Sequence, residues 1–450
     1  MRGSSLVVIV SALLFAACGT GGSRDPGPPT SSGRGTGATD PASKSPTGER
    51  PAAVAPSIPK RPPKWVDTAP FGPAEPRADW VVFWSLKSDQ QVWKIADEVR
   101  RRRANIVFLQ VRSRGDANFP SSLEPTIPET ARGFDAIDAT LDAAEGDYEV
   151  HLWINCCLVA SAEDPPTAAS HVFNTHPEWL TVPKAEAAEL RKYQTSNPTY
   201  RSTIARHAAA KKSVVEGVFI DPALPAARAH VAAIVADLCA RYPIAGIHLD
   251  YVRYPDADWG FGKPTLDLFR AEVDADLSTA ERKDMAARVA KDPFAYTTRY
   301  ASRFANFRRQ AVTKLVQGAA DAARRARPGV IVSAAVFSDQ AEAKDRKFQE
   351  WMSWLNRGTI DVACPMAYTQ RNANFETQVR AAVGGKKRGE IWIGIGSWLL
   401  NAKEIARRVQ LSRSLGADGI ALFSHQGTTD IPGAVEALLA GPFKMRAKAR

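Results

Sequence analysis

The chain has 450 residues, 44% of them hydrophobic and 24% charged, with 59 Lys and Arg against 48 Asp and Glu for a formal charge of +11. This ordinary globular composition excludes a wholly disordered, collagen-like or disulfide-dense chain. The excess charge sits at the two ends: residues 1–64 hold eight Lys/Arg and three Asp/Glu, and Lys444, Arg446, Lys448 and Arg450 close the chain, so the body is near neutral and carries no nucleic-acid footprint.

In chain order, Arg2 precedes an apolar stretch from Leu6 to Phe15 that is too short to span a bilayer and stops at Phe15-Ala16-Ala17-Cys18. The stretch resembles a bacterial lipobox, which makes 1–18 a lipoprotein signal peptide and Cys18 the lipidated N-terminus. That reading predicts a membrane-anchored protein of the cell envelope, facing the periplasm or the exterior. Between residues 19 and 64 there are ten Pro, eight Gly, six Ser and five Thr, with Val54 and Ile58 as the large aliphatics. Such a composition buries too little apolar surface to offset its ordering entropy, so 19–75 reads as a tether, 76–443 as the folded body and 444–450 as a basic tail.

From Trp80 onward, short runs of Val, Ile and aromatic residues alternate with helical patterns, the signature of βα units on a parallel sheet. The predicted strands are Trp80 to Ser85, Asn105 to Val111, Tyr148 to Ile154, Ala245 to Asp250, Val330 to Val336, Ile360 to Pro365, Ile391 to Ile395 and Gly419 to Phe423. Eight such units close an α/β (β/α)8 TIM barrel. Helices with one buried face are predicted from the spacing of Val92, Ile95, Ala96 and Val99, of Val231, Ile234, Val235 and Leu238, and of Ala402, Ile405, Ala406 and Val409. The long gaps after strands three and four predict loops over the C-terminal face, where barrel chemistry occurs.

Period-two alternation along Gly246-Ile247-His248-Leu249-Asp250 turns His248 and Asp250 into the barrel and the aliphatic pair toward the helices. Gln110, Arg112, Arg114 and Asp116 share one parity on strand two, and His151, Trp153 and Asn155 share another on strand three. Carboxylates, amides, guanidinium groups and aromatic faces on one rim suit a carbohydrate, and Tyr251, Arg253, Tyr254, Trp259, Tyr368 and Trp398 extend that inventory. A purely structural Asp250, paired with Arg112 or Arg253 to fill the barrel, stays open on these grounds.

Several segments in order resemble the glycosyl hydrolase-like 10 family. They include Gln110-Val-Arg112-Ser-Arg-Gly115-Asp116-Ala117, His151-Leu-Trp153-Ile-Asn155, Asn174-Thr-His176-Pro177-Glu178-Trp179-Leu180, Ile220-Asp221-Pro222-Ala-Leu-Pro225, Gly246-Ile-His248-Leu-Asp250-Tyr251 and Pro365-Met366-Ala367-Tyr368. The resemblance is to lipoprotein members acting on peptidoglycan glycan strands stripped of peptides. It implies a glycosidase barrel with Asp250 as the leading carboxylate, Tyr251 standing where many members carry a second Asp.

Glycoside cleavage ordinarily uses two carboxyl groups, although a substrate acetamido group can replace the nucleophile. For the partner of Asp250 the order of preference is Asp116, then Asp339, Glu163 and Asp164. Asp361 starts strand six at the wrong end. A cation beside Asp250, from Arg112, Arg253 or a protonated His248, predicts an ionised carboxylate that serves as nucleophile or base. Cys156, Cys157, Cys239 and Cys364 lack metal-like spacing and read as buried thiols. No cofactor is expected, the predicted partners being a polysaccharide and, through the anchor, a membrane. The alternatives are a carbohydrate-binding barrel without turnover and a metal-dependent glycan hydrolase using His151, His248 and Asp250.

Overall fold

A computed structural model describes residues 61, 63–127, 130 and 133–448 of the chain. The signal segment, Cys18 and the tether as far as Lys60 lie outside the described residues. Eight parallel strands close a barrel: β1 (Arg77–Val81), β2 (Ile106–Arg112), β3 (Glu149–Asn155), β4 (Gly246–Asp250), β5 (Ile331–Phe337), β6 (Val362–Met366), β7 (Glu390–Gly396) and β8 (Gly419–Phe423). Sequential strands are neighbours, and β8 returns to β1 through Ile420↔Arg77 and Leu422↔Asp79. The register that matters most for the mouth sets Asn155 of β3 opposite Asp250 of β4.

Each wall helix follows its apolar spacing. In the helix Asp89–Arg102, Val92, Ile95, Ala96 and Val99 are all buried, Ser88 caps the first turn by accepting from the Gln91 amide, and Arg103 ends it in the left-handed region at φ 61°. The insertions also lie where the spacing put them. After β3 come the two-stranded ladder of Leu158–Ala160 with Val218–Phe219 and the helices Lys184–Leu190 and Pro198–Ala210, and after β4 the helices Lys263–Asp274 and Thr279–Val289.

The first strand differs from the sequence reading. It is Arg77–Val81, whereas Phe83–Ser85 forms a single 3-10 turn. The apolar run continues past the strand because these residues roof the barrel: Val82 is buried, and the Phe83 amide donates to Gln110 Oε1 on β2.

The domain limits move as well. Phe71–Ala74 pairs in parallel with Arg446–Lys448, and this ladder plugs the N-terminal end of the barrel. Arg77 donates to the Met445 carbonyl at 2.8 Å, Asn105 donates to the Lys448 carbonyl at 3.2 Å, and the Arg446 guanidinium lies 3.8 Å from the Phe71 ring centre. Residues 71–74 therefore belong to the body rather than to the tether, and 446–448 are a strand rather than a free tail. Among the described residues no helix is long and apolar enough to cross a membrane.

Inside the barrel, inward-facing residues stack in layers, as closure requires. Phe108 lies on His248 at 3.9 Å with the rings 13° apart, and Trp80, Trp153, Trp392 and Cys364 complete this inner cluster. Gly246 makes the layer possible, because a Cβ there would stand 2.3 Å from the His151 ring.

Candidate active site

Asp250 ends β4 at the mouth and is only 7% exposed. The next residue, Tyr251, adopts φ 51°, a left-handed conformation that is uncommon for a bulky side chain and recurs at functional sites. The turn brings the Tyr251 amide to 2.6 Å from Asp250 Oδ1, while the Asp250 and Tyr251 carbonyls accept from the Cys156 and Cys157 amides, tying β3 to β4. Burial pushes the Asp250 carboxyl up to about 6, against opposing help from Arg253, the Tyr251 amide and Trp153. Of the cations expected to hold it ionised, Arg253 does act on it, but burial outweighs that effect and the carboxyl ionises above the usual carboxylate range. The cations proposed to hold it are committed elsewhere: Arg112 to Glu124 and Arg253 to Glu216.

Tyr368, Trp398 and Phe423 form an aromatic rim above the ends of β6, β7 and β8. The Tyr368 and Trp398 rings are 5.0 Å apart at 76°, Trp398 and Phe423 5.4 Å apart at 76°, and all three are half-buried. Gly396 leaves the space that Trp398 occupies, since a Cβ would stand 2.7 Å from its ring. Asp250 acts on the Tyr368 phenol, whose ionisation is pushed well up chiefly by burial, so the rim lies within electrostatic reach of Asp250. Phe423 escaped the sequence reading because it looked like the last residue of a strand.

Several sequence-predicted binding residues are instead internal supports. Arg112 is 1% exposed and fully engaged, donating from Nε at 2.7 Å and Nη2 at 2.6 Å to Glu124 and from Nη1 to the Asn155 carbonyl. Asn155 donates to the Ser113 carbonyl at 2.7 Å and accepts from the Trp153 indole at 3.0 Å. His248 accepts at Nε2 from the Trp80 indole at 3.0 Å. A neutral ring then carries its proton on Nδ1, donated to Ser333 Oγ at 2.8 Å, and burial pushes its protonation well below the usual range. His151 is fully buried one layer lower, with Nε2 at 3.1 Å from Glu149. From the loop after β4, Tyr254 donates at 2.6 Å to Asp221 of the insertion after β3, and Trp259 is fully buried. Trp153 is 3% exposed and packs edge-on to Phe423, supporting the rim from beneath.

This division has a measurable consequence. Trp398→Ala weakens binding of soluble glycan oligomers by about 1–3 kcal/mol, the scale of ring stacking on an aromatic face. Trp153→Ala costs about 3–5 kcal/mol of stability, the scale for emptying a buried aromatic site. Calorimetric titration and thermal melting of the two variants separate the roles.

Of the candidate partner carboxylates, Asp339 caps the helix Gln340–Asp345, and Glu163 pairs with Lys212 at 2.7 Å. Asp116 is half-buried, accepts from the Arg114 amide at 2.9 Å, and is pushed up by burial. It interacts with Arg114, His171 and Glu124, a different set from the Arg253, Tyr251, Glu216 and Trp153 that act on Asp250. A carboxylate that acts on Asp250 and that the sequence reading missed is Glu216. It precedes the small strand Val218–Phe219 and pairs with Arg253 at 2.7 Å. Its loop belongs to the insertion, outside the parity of any barrel strand, so no periodicity marked it.

The four cysteines are free and buried, as expected. Among the described residues no group of three or more His, Cys, Asp or Glu side chains is placed to hold a metal ion. Ala210, Lys211, Ser213 to Val215, Asp256 to Asp258 and Arg346 line a concavity of about 440 Å³ that shares no residue with the aromatic rim. Its charged groups are closed on one another, Lys211 with Asp258 at 2.8 Å and Arg346 with Asp256 at 2.5 Å.

The sequence profile of the glycosyl hydrolase-like 10 family matches residues 76–395. The chain belongs to this family. Among curated relatives, glycosyl hydrolase DigH of Escherichia coli strain K12 is 23% identical over 326 residues, covering 66% of this chain and 63% of the relative. The chain thus spans less than two thirds of that protein's length. DigH of Escherichia coli O6:H1 is 22% identical over 360 residues and 71% of each chain. Of solved structures, the PgaB (BpsB) glycoside hydrolase domain from Bordetella bronchiseptica superposes with a TM-score of 0.56 at 14% identity, covering 81% of this chain and 98% of that one. The catalytic domain of a Paenibacillus polymyxa β-amylase gives 0.56 at 9% identity, over 84% and 100%. At such identities the likeness establishes the fold, a closed barrel shared with glycoside hydrolases and this glycosyl hydrolase-like 10 member.

Proposed function

We propose that this glycosyl hydrolase-like 10 protein is a lipid-anchored glycoside hydrolase that cleaves a cell-wall or extracellular polysaccharide, with peptide-free peptidoglycan glycan the leading substrate. The observation that carries the reading is Asp250, a carboxyl at the barrel mouth that is almost wholly buried, held by the Tyr251 amide and pushed up to about 6 by burial, with the aromatic rim of Tyr368, Trp398 and Phe423 on the same end of the barrel. A carboxylic acid so placed donates its proton to the glycosidic oxygen as the bond to the anomeric carbon breaks.

The opposite role falls to the substrate. Glu124 and Glu216 are closed in ion pairs and Asp116 faces a different set of groups from Asp250, so a neighbouring acetamido oxygen attacks the anomeric carbon. Water then opens the cyclic intermediate and returns a proton to Asp250. The same engagement of rim carboxylates favours the second reading, a glycan-binding barrel without turnover. A metal-dependent mechanism loses its ligands, because His248 is held between Trp80 and Ser333 and His151 is sealed beneath them.

The deciding experiment incubates the protein with peptide-free wall glycan and a panel of acetylated and non-acetylated polysaccharides, with products read by mass spectrometry. Shorter glycans from an acetamido polymer support the hydrolase; binding without product selects the second reading. The anchor is tested separately: Cys18→Ala moves the protein out of the membrane fraction, and recovery of processed, membrane-bound variant overturns the lipoprotein assignment.

A further inference from the structure

The floor of the barrel, at the end opposite the mouth, gathers apolar side chains in water. Of the five large hydrophobic side chains exposed among the described residues, three are Val66 at 72%, Phe71 at 55% and Met445 at 44%, all on or beside the ladder of Phe71–Ala74 with Arg446–Lys448. They share one patch. A Cβ on Gly72 would stand 3.1 Å from Met445 Cβ and Cε, and the Arg446 guanidinium lies 3.8 Å from the Phe71 ring centre. Asp67, next to Val66, pairs with Arg103, which also donates to the Phe443 carbonyl at 2.9 Å. Scattered exposed apolar residues need no explanation, whereas a group of them on one face marks an interaction surface. The charge around this patch has one sign to spare. Asp67 is taken by Arg103 at 2.6 Å, Glu75 by Arg77 at 2.7 Å and by Arg413, and Asp147 by Lys64 and Arg100, each at 2.6 Å. Lys444 and Lys448 are exposed, and with Arg446 they make no ion pair among the described residues.

We propose that this floor is a membrane-docking face: Val66, Phe71 and Met445 enter the headgroup layer of an anionic bilayer while Lys444, Arg446 and Lys448 meet its phosphates. Apolar side chains ringed by unbalanced cations match such a surface on both counts. A soluble polyanion answers only the cations and leaves the apolar group in water. The place where the preceding chain joins the fold agrees, because Arg61, the first described residue, pairs at this end with Glu145 at 2.5 Å. The contact is additional to the proposed Cys18 anchor. It needs no covalent lipid, and it is independent of Asp250 and of turnover.

The test uses the full chain carrying Cys18→Ala, which accepts no lipid, with vesicles of phosphatidylcholine alone or of phosphatidylcholine and phosphatidylglycerol in equal parts. Flotation shows tighter binding to the mixed vesicles, weakened by salt, and hydrogen exchange slows at residues 66–74 and 444–448 but not in the loops around Asp250. Adding Lys444→Gln and Lys448→Gln lowers the affinity about 20-fold, at roughly fivefold for each charge removed. Adding Phe71→Ser and Met445→Ser weakens the binding that persists in high salt. Both pairs alter exposed side chains, so the variants fold, and the segment before residue 61 is common to all of them, so the differences belong to the floor. Unchanged binding by the lysine pair overturns the proposal. Unchanged binding by the Phe71 and Met445 pair does the same, because it assigns the face to a polyanion. Protection of the floor without vesicles also overturns it, because the chain's own tether then covers the patch. Since this attachment yields to salt, membrane fractions washed in high salt still report the Cys18 anchor alone, and the two readings fail separately.

Discussion

Asp250→Asn lowers turnover of a natural glycan by about 10²- to 10⁴-fold, the usual worth of a positioned general acid, while a substrate with an activated aryl leaving group loses far less because that group needs no proton. With Asp250 in the proposed donor role, the alkaline limb of the wild-type rate profile follows it, so turnover falls as pH rises through about 6. Stability falls over the same range. The carboxyl is raised in the folded state from an ordinary 3.8, so its contribution is fully present below pH 3.8 and is lost as pH rises through about 6. The amide carries no such loss, and the inactive variant melts higher than the wild type at pH 8. Equal melting curves at pH 5 and pH 8, or full turnover by the folded variant, would show that Asp250 is not a buried donor.

Glu124→Gln strikes the scaffold instead. Glu124 holds Arg112 through two short contacts, both groups are almost wholly buried, and removing one partner of such a pair costs about 3–5 kcal/mol. The Arg112 guanidinium holds the Glu124 carboxyl down to about 2 against the opposing effect of burial, so its contribution is intact above pH 4.5 and disappears as pH falls from 4.5 toward 2. Urea titrations at pH 7 and pH 3 check both statements: the variant is much weaker at pH 7, and the gap narrows at pH 3. Activity per folded molecule changes little, in contrast to Asp250→Asn.

The barrel was legible because closure leaves a strong imprint: each strand is buried on both faces, so eight apolar runs separated by one-faced helices suffice. The first strand was misplaced because roofing residues such as Val82 are as apolar as strand residues, and burial alone does not distinguish the two. Asp250 was legible from parity. Parity says only which way a side chain points, however, and a barrel interior is itself built from inward-pointing groups. Whether an inward polar group is a support or a site depends on what satisfies it. For His248 the answer is Trp80, 168 positions earlier, and for Arg112 it is a glutamate from a loop. Such closures are invisible to local pattern. Glu216 shows the reverse case, a group at the site supplied by an insertion whose strand is only two residues long.

The ladder that joins Phe71–Ala74 to Arg446–Lys448 lies at the end of the barrel opposite the mouth. The start and the finish of the described fold are therefore stitched side by side, and a short peptide joining them would let the chain be reopened elsewhere, as in the connection after the helix Thr279–Val289, without disturbing strand order. It also means that a load applied to either end is borne first by these few hydrogen bonds at the floor. A fusion partner or a solid support attached there leaves the loops around Asp250 free to meet a polymer as large as the surroundings allow.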